Sequence, residues 1–230
     1  MKFDKFSMKH TGERCFILGS APSLREENLA LLEGEIVFSC NKSFLAKKDL
    51  NLPNYSYFVL TDSNVHTDIY MNNKEDFDSI DVPRFYSSQL IKHKKDYVKM
   101  SEDYVIIDKM NHYPISSRKA TFPNSFKEGW GLTGTVVYEA TLLAFFMGFK
   151  EIYLLGVDMD YSNKQDTHFY KMGLRERNDA NTMKKWWSRI KGSAKFIKRG
   201  LDNRNVKWEN LSRGFKNHKM IPKNTLENII

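Results

Sequence analysis

The residues best suited to chemistry in this 230-residue sequence are small or polar side chains that directly follow short apolar runs. Small residues let a backbone approach a phosphate closely, and a helix that begins just behind them adds the positive end of its dipole. If the apolar runs are neighbouring parallel strands, these residues meet at one edge of a sheet. The pattern predicts a site for a phosphate-bearing nucleotide, built from Gly19, Ser20, Ala21, Pro22, Ser23, Asn41, Asp62, Thr133, Gly134, Thr135 and Asp158.

The first of these loops has the clearest signal. The apolar run CFILG, residues 15–19, predicts a buried strand, and residues 20–23 lead from it into a predicted helix. Ser23 and Glu26 match the S-x-x-E capping box at the start of that helix. We expect the strand-loop-helix unit 15–32 to hold the phosphate. The alternative is a tight turn without a ligand, since such a turn needs the same small residues.

Several common motifs are absent from the sequence. The loop after the first predicted strand, residues 19–24, does not match the G-x-G-x-x-G fingerprint, and no G-K-S or G-K-T follows it, which disfavours ordinary dinucleotide oxidoreductases and P-loop kinases. No H-E-x-x-H motif or Cys/His zinc spacing is present, so no dedicated transition-metal site is expected. Cys15 and Cys40 lie in strand-like runs and are predicted to be buried thiols.

The elements that must position these residues follow an α/β pattern. Strands are predicted at 15–19, 35–41, 55–62, 83–88, 104–108, 151–156 and 206–212, and helices at 135–147 and 180–198. Alternation of strand and helix indicates parallel strands joined by crossovers. The predicted fold is a single Rossmann-like α/β domain over 1–230, with a mostly parallel sheet flanked by helices. Its predicted parts are a core (12–160), a lid with a basic helix (161–200) and a C-terminal strand and tail (201–230).

Charge and composition bound the partners. The sequence is 41% hydrophobic, which is typical of a globular protein, and its net charge of +8 favours anionic partners. We find neither a signal-peptide pattern nor an apolar run long enough to span a membrane, which predicts a cytoplasmic protein.

The segment 182–200 is basic and amphipathic. Its apolar stripe consists of Met183, Trp186, Trp187, Ile190, Ala194 and Ile197. Such a helix can lie on an anionic membrane, with tryptophans at the depth of the headgroups. Alternatively, the stripe packs on the sheet and the charges are solvated.

Three blocks of sequence carry a resemblance. They are FILGSAPSL, SCN at 39–41, and LTGTVVYEATLLAFFMGFKEIYLLGVD. Together they resemble the bacterial sialyltransferases of glycosyltransferase family 42. They are even more similar to the MptE-like proteins, also known as domain of unknown function 115. The resemblance covers about residues 15–170.

The resemblance implies a Rossmann-type domain with a small lid that uses a CMP-activated sugar without an essential metal or other cofactor. The sialyltransferase loop usually reads G-N-G-P-S-L, and here Ser20 and Ala21 replace its Asn and second Gly. The nucleotide-contacting Asn falls on Asn41, and the loop that holds CMP falls on residues 133–135. A further donor-contacting Asn falls near Asp62, which leaves the donor sugar open.

The mechanism implied is inverting transfer, with a histidine that deprotonates the acceptor hydroxyl. His168 is the candidate base; the alternative is a solvent-facing loop histidine. Tyr161 and Tyr170, on the same segment, could donate to the leaving phosphate or could pack as ordinary loop residues. Asp158 could bind a ribose hydroxyl or cap the end of its strand.

The sequence thus predicts a cytoplasmic or inner-leaflet glycosyltransferase of surface polysaccharide or lipooligosaccharide synthesis. Its expected partners are a nucleotide-sugar donor, a glycan or glycolipid acceptor and, through 182–200, an anionic membrane; a homo-oligomer is left open. One alternative is a 6-hydroxymethylpterin diphosphokinase, for which Asp62, Asp158 and Asp160 would have to serve a metal-bound ATP. The other is a basic nucleic-acid-binding module, which no recognition motif supports, so no nucleic acid is expected.

Overall fold

The computed structural model describes residues 2–94, 104–107, 111–114, 121–125, 129–160, 167–173, 180–216 and 219–230. The strands are β1 (Arg14–Leu18), β2 (Val37–Cys40), β3 (Tyr57–Leu60), β4 (Arg84–Ser87), β5 (Tyr104–Ile107), β6 (Asn111–Pro114), β7 (Gly131–Leu132), β8 (Glu151–Leu155) and β9 (Lys207–Asn210). The helices are α1 (Ala46–Asp49), α2 (Ser63–Asn72), α3 (Lys74–Asp78), α4 (Ser88–Lys94), α5 (Val136–Phe146) and α6 (Ala180–Asp202).

Seven strands form one sheet in the order β5-β4-β3-β2-β1-β8-β9, and every neighbouring pair is parallel. The parallel sheet predicted from the alternation of strand and helix is confirmed. The predicted last strand is also confirmed, since β9 pairs with β8 at one edge of the sheet. Strands β6 and β7 form a separate parallel pair.

The sheet has a hydrophobic core on each face. Along β1, Cys15 and Ile17 contribute to one core, and Phe16 and Leu18 to the other. Successive side chains of a strand point to opposite faces, so a strand covered on both sides must be apolar throughout. This explains why the central strands could be recognised as continuous apolar runs. The two cysteines are free thiols and buried, as predicted.

The first predicted helix is wrong in type. The chain after β1 forms two short 3₁₀ turns, Pro22–Glu26 and Leu29–Leu32, instead of one α-helix. The predicted capping box does not form either: Ala21 is the capping residue, and no side chain caps the turn. The physical reason is that the Ser23 hydroxyl donates to the Asp158 carboxylate across the fold, and so does not cap its own turn.

Helices α2, α3 and α4 were not predicted. Along α2 only His66, Asp68 and Ile69 are buried, so this helix has no apolar stripe that a period of 3.6 residues could reveal. Asp62 fixes its start, because its carboxylate accepts hydrogen bonds from the backbone N–H groups of Asn64 and Val65 at 2.7 and 3.3 Å.

The basic helix α6 packs on the core. Ile190, Ala194 and Ile197 are at most 4% exposed, and Trp187 packs against the same core. The alternative in which the apolar stripe packs on the sheet therefore holds for these residues. Trp186 is different, since 38% of its surface is exposed. Within the described residues, no helix is both long and apolar enough to cross a membrane.

Candidate functional site

The candidate site lies where the strand order reverses direction. Strand β1 has β2 on one side and β8, which comes much later in the chain, on the other. The segments that follow these strands therefore diverge and leave a crevice at the carboxyl ends of the sheet. In open α/β sheets this is where ligands bind.

The loop after β1 is held closely against the end of β8. The backbone N–H of Gly19 donates to the carbonyl of Leu155 at 2.8 Å, and that of Ala21 donates to Gly156 at 2.9 Å. A Cβ atom on Gly19 would lie 2.3 Å from the carbonyl oxygen of Gly156, so only glycine fits this approach. The loop is consequently fixed before any ligand arrives.

Asp158 holds this loop from the opposite side. Its carboxylate accepts hydrogen bonds from the Ser23 hydroxyl and, at 3.2 Å, from the Ser23 backbone N–H. Ser23 is 3% exposed and Asp158 is 8% exposed. The pair connects the end of β8 to the turn after β1, and this geometry gives Asp158 a positioning role in the free protein.

Asn41, directly after β2, has an unusual backbone. Its φ angle is +52°, in the left-handed region that asparagine tolerates better than most residues. Its side-chain Oδ1 is buried and has no hydrogen-bond partner within the described chain. An unsatisfied buried oxygen costs free energy, so a donor group on a ligand would stabilise it. Strained residues of this kind concentrate at functional sites.

The loop before α5 is ordered by its first threonine. The Thr133 hydroxyl donates to the carbonyl of Thr135 at 2.9 Å and lies 3.3 Å from Glu139 Oε1. Gly134 has a φ of +91°, which a side chain would oppose. Thr135 is the N-cap residue that precedes α5, and its own side chain makes no capping bond there. The first N–H groups of α5 therefore remain available toward the crevice.

Two adjoining cavities occupy the crevice. The first has a volume of about 130 Å³ and is lined by Gly19, Ser20, Ala21, Cys40, Asn41, Thr135, Val136, Val137, Gly156, Val157, Asp158, Met159, Asp160, Thr167, His168 and Ile190. The second has a volume of about 420 Å³ and is lined by Asn41, Thr61, Asp62, Ser63, Val65, Gln89, Thr133, Gly134, Thr135, Val136, Glu139, His168, Tyr170, Trp186 and Arg189. Asn41, Thr135, Val136 and His168 belong to both.

His168 lines both cavities. Its Nδ1 is 2.9 Å from the Thr167 hydroxyl, and its ring packs against Tyr170 with centroids 5.1 Å apart. Burial, together with the positive charge of Lys42, lowers the pKa of His168 from 6.5 to about 4. The imidazole is therefore neutral at physiological pH and can accept a proton.

Lys42 belongs to a buried ion pair behind His168. Its ammonium group binds the Asp68 carboxylate, and both side chains are at most 4% exposed. The ammonium also lies 4.8 Å from the centre of the Tyr170 ring. Gly173 packs directly on Asp68 and has no room for a Cβ atom. The Lys42–Asp68 pair therefore supports the segment 167–173 that carries His168.

Most residues predicted from the sequence converge at this crevice. Ser20 and Asn41 line the first cavity, and Asn41 and Thr133 line the second. Pro22 and Ser23 line neither cavity, and Tyr161 lies outside the described residues. Residues that the sequence analysis missed include Lys42, Asp68, Gln89, Glu139, Trp186 and Arg189. Lys42 follows Asn41 directly, which was a usable signal, whereas Trp186 and Arg189 come from a helix distant in sequence.

The fold and its crevice define an α/β protein of the Rossmann-like class, with ligand cavities at the carboxyl ends of parallel strands. The chain belongs to the MptE-like family: the family model described as "6-hydroxymethylpterin diphosphokinase MptE-like" matches residues 1–164. A search of the curated proteins found no match.

Solved structures of sialyltransferases share the fold. Sialyltransferase CstII from Campylobacter jejuni in complex with cytidine-5'-monophosphate is 15% identical with a TM-score of 0.54, and the match covers 92% of this chain and 84% of that one. The monofunctional α-2,3-sialyltransferase Cst-I from Campylobacter jejuni is 16% identical with a TM-score of 0.54, over 92% of this chain and 80% of that one. CST-II in complex with a trisaccharide acceptor and CMP gives a TM-score of 0.53 at 15% identity, over 91% and 85%.

Proposed function

We propose that this protein is an inverting glycosyltransferase that uses a CMP-activated sugar in the synthesis of surface polysaccharide or lipooligosaccharide. The observation that carries the proposal is the convergence of Ser20, Asn41, Thr135 and His168 on one crevice at the reversal of strand order. The same fold in sialyltransferases solved with CMP supports it.

In this proposal the first cavity holds the nucleotide. The backbone of residues 19–21 and the first N–H groups of α5 face the phosphate, and the buried Oδ1 of Asn41 accepts a hydrogen bond from the nucleoside. Ser20 and Thr135 supply hydroxyl groups beside it. Asp158 acts indirectly, because its carboxylate holds Ser23 and the loop that faces the phosphate.

His168 is the proposed general base. The acceptor hydroxyl oxygen forms a bond to the anomeric carbon, while the bond from that carbon to the phosphate oxygen breaks and its electron pair leaves with CMP. The hydroxyl proton passes to Nε2 of His168, whose Nδ1 faces the Thr167 hydroxyl. An anionic donor phosphate in the first cavity would favour the imidazolium and raise the pKa of His168, which lines that cavity.

A ligand screen by thermal shift tests the proposal. The panel contains CMP, CDP and UDP, each with EDTA, and ATP with magnesium. CMP at about 100 times its dissociation constant should stabilise the protein by about 2.7 kcal/mol, and EDTA should not reduce this effect. Stabilisation by ATP with magnesium and not by CMP would contradict the proposal.

The second candidate is a pterin diphosphokinase, which the description of the matching family favours. Two of the three acidic residues that it would need already have other roles. Asp62 caps α2 and Asp158 holds Ser23, whereas Asp160 is exposed on the wall of the first cavity. These contacts favour the glycosyltransferase. Retention of 6-hydroxymethylpterin only in the presence of ATP and magnesium would reverse that preference.

Location in the cell, the acceptor, metal dependence, assembly and membrane contact complete the proposal. A cytoplasmic location, a glycan or glycolipid acceptor, independence from metal and a homo-oligomer stay predictions. So does contact of residues 182–200 with an anionic membrane. With Ile190, Ala194 and Ile197 buried in the core, such contact would depend on the exposed cations of α6, and it should weaken steeply as salt concentration rises.

A further inference from the structure

The second cavity has one wall that the proposed nucleotide site does not use. Helix α6 contributes Trp186 and Arg189 to it, and the centre of the Arg189 guanidinium lies 4.6 Å from the centroid of the Trp186 ring. A Cβ atom on Gly134 would lie 3.2 and 3.3 Å from Cγ and Cδ of Arg189. The arginine stem therefore packs on the glycine, which holds the guanidinium in place.

The charge of Arg189 is not neutralised within the described chain. No described carboxylate lies within ion-pair distance of it. Two acidic side chains share the cavity, but Asp62 caps α2 and Glu139 Oε1 faces the Thr133 hydroxyl. A fixed guanidinium that no described carboxylate neutralises is suited to an external planar anion, above all a carboxylate that accepts two parallel hydrogen bonds.

The neighbouring groups suit the ring of a sugar. Trp186 leaves 38% of its surface exposed, so the part of the indole that Arg189 does not cover can contact the apolar C–H face of a pyranose. Gln89 and Ser63 line the same cavity and can bond to hydroxyl groups. A few polar groups placed around an aromatic anchor are typical of small-molecule sites.

The position of the cavity fixes its role relative to the donor. The two cavities share His168, so a sugar in the second cavity lies beside the same imidazole that borders the proposed nucleotide site. We propose that the second cavity is the acceptor subsite and that it selects a saccharide that carries a carboxylate, such as a uronic acid, with Arg189 on the carboxylate and Trp186 on the ring. This inference rests on the proposed function.

The test measures saccharide binding by titration calorimetry or ligand-observed NMR with CMP at saturation. The probes are methyl glucuronide, the neutral methyl glucoside and glucose 6-phosphate. The wild-type protein should bind the glucuronide at least about ten-fold more tightly than the neutral glycoside, which is the lower end for a hydrogen-bonded charged pair. Equal binding, no saccharide binding, or a preference for the phosphate would overturn the assignment to a carboxylate.

Variants on α6 separate the two contacts. R189A should remove the preference for the carboxylate, and W186A should weaken the glucuronide and the neutral glycoside alike. R189K keeps a charge and most of the packing on Gly134 but loses the planar fork, so it should keep only part of the preference. The matched control is K191A, because Lys191 also lies over a tryptophan, 5.5 Å from the Trp187 ring, but outside the cavity.

CMP binding distinguishes failure of the acceptor subsite from failure of the proposed function. All four variants should bind CMP as the wild type does, and failure of the wild type to bind CMP would remove the proposed function itself. Intact CMP binding together with an undiminished carboxylate preference in R189A would overturn the subsite alone.

Discussion

His168 is subject to two influences that act in the same direction on its ring. Burial disfavours the imidazolium, and the nearby ammonium of Lys42 repels it, so the pKa falls to about 4. The neutral form is the one that can take a proton from a hydroxyl. The low pKa also makes the ring a weak base in the free protein. The bound anionic donor therefore has to raise this pKa.

Replacing His168 with glutamine should lower the rate of sugar transfer by about 10²- to 10⁴-fold while CMP affinity stays within two-fold. The amide keeps a hydrogen-bonding side chain but cannot take the proton. Transfer is measured by release of CMP, and binding by calorimetry. The control is H10Q, because His10 bonds to Tyr57 far along the sheet from the crevice. Full transfer activity in H168Q would remove His168 from the mechanism.

The same substitution should change how stability depends on pH. Between pH 6.5 and about 4 the unfolded chain protonates His168 while the folded chain does not, so the wild type loses stability as pH falls through that window. H168Q should lose less stability over this range, as followed by urea denaturation at several pH values. If stability depends on pH with the same slope in both proteins, the pKa of His168 is not lowered in the folded state.

At Asn41, one substitution can remove the side-chain amide while the backbone conformation is kept. N41G suits the left-handed φ of +52° but removes the amide, so CMP affinity should fall about three- to ten-fold with stability changed by less than about 1 kcal/mol. The matched control is N205G, since Asn205 has a φ of +54° and lies outside both cavities. Calorimetry with CMP and thermal melting measure the two effects. Unchanged CMP affinity in N41G would remove the amide from the site.

Individual residues were predicted well only where a local signal existed. Ser20, Asn41 and Thr135 each follow or precede an apolar run, and the sequence could place them at strand or helix ends. Arg189 enters the crevice from a long helix whose basic residues look alike in sequence. Only tertiary packing on Gly134 distinguishes it from its neighbours.

Among the elements, the segment 167–173 depends on a support from another part of the chain. The buried Lys42–Asp68 pair lies against Tyr170 and Gly173, and Asp68 also accepts a bond from the Asn72 amide at 3.0 Å. Taking two charges out of water is costly, so such a pair is weak evidence for stability, but removing one partner leaves the other uncompensated.

K42M should therefore destabilise the fold by about 3–5 kcal/mol, and the double variant K42M/D68L should recover much of that loss. Transfer activity of the double variant should remain low, because the support for the His168 segment is gone. Denaturant unfolding and CMP release provide the two readouts. The control is K74M in the exposed Lys74–Asp78 pair, where little or no change in stability is expected because solvent screens the pair. Full activity in K42M/D68L would show that the ion pair does not position the segment.

The sequence predicted an element correctly where that element is buried and therefore apolar. Strands covered on both faces appeared as unbroken apolar runs, and helix α5 has an almost entirely buried surface. Helices α2 and α3 have mostly polar surfaces and left no periodic signal. The 3₁₀ turns after β1 were predicted as an α-helix because the bond from Ser23 to Asp158 spans 135 residues and cannot be seen locally.

At the scale of the whole molecule, the order of the strands determines where a ligand can bind. The sequence indicated parallel strands but not that β1 would lie between β2 and β8. That placement follows from long-range packing of both faces and creates the crevice between loops that are far apart in the chain. The residues at the strand ends could therefore be predicted from the sequence, whereas the crevice that they form could not.

The two cysteines lie in adjacent central strands, and burial raises the pKa of both thiols. A thiolate is the reactive form, so both positions should resist maleimide while the sheet is intact and react only when it opens. Alkylation rates, read by mass spectrometry, should then follow global unfolding and slow when CMP is added. Rapid modification of the native protein would contradict this expectation. Cys40 lines the first cavity and Cys15 lies in the adjacent strand β1. The two native thiols can therefore rank ligands by how strongly each ligand slows alkylation, without an added label.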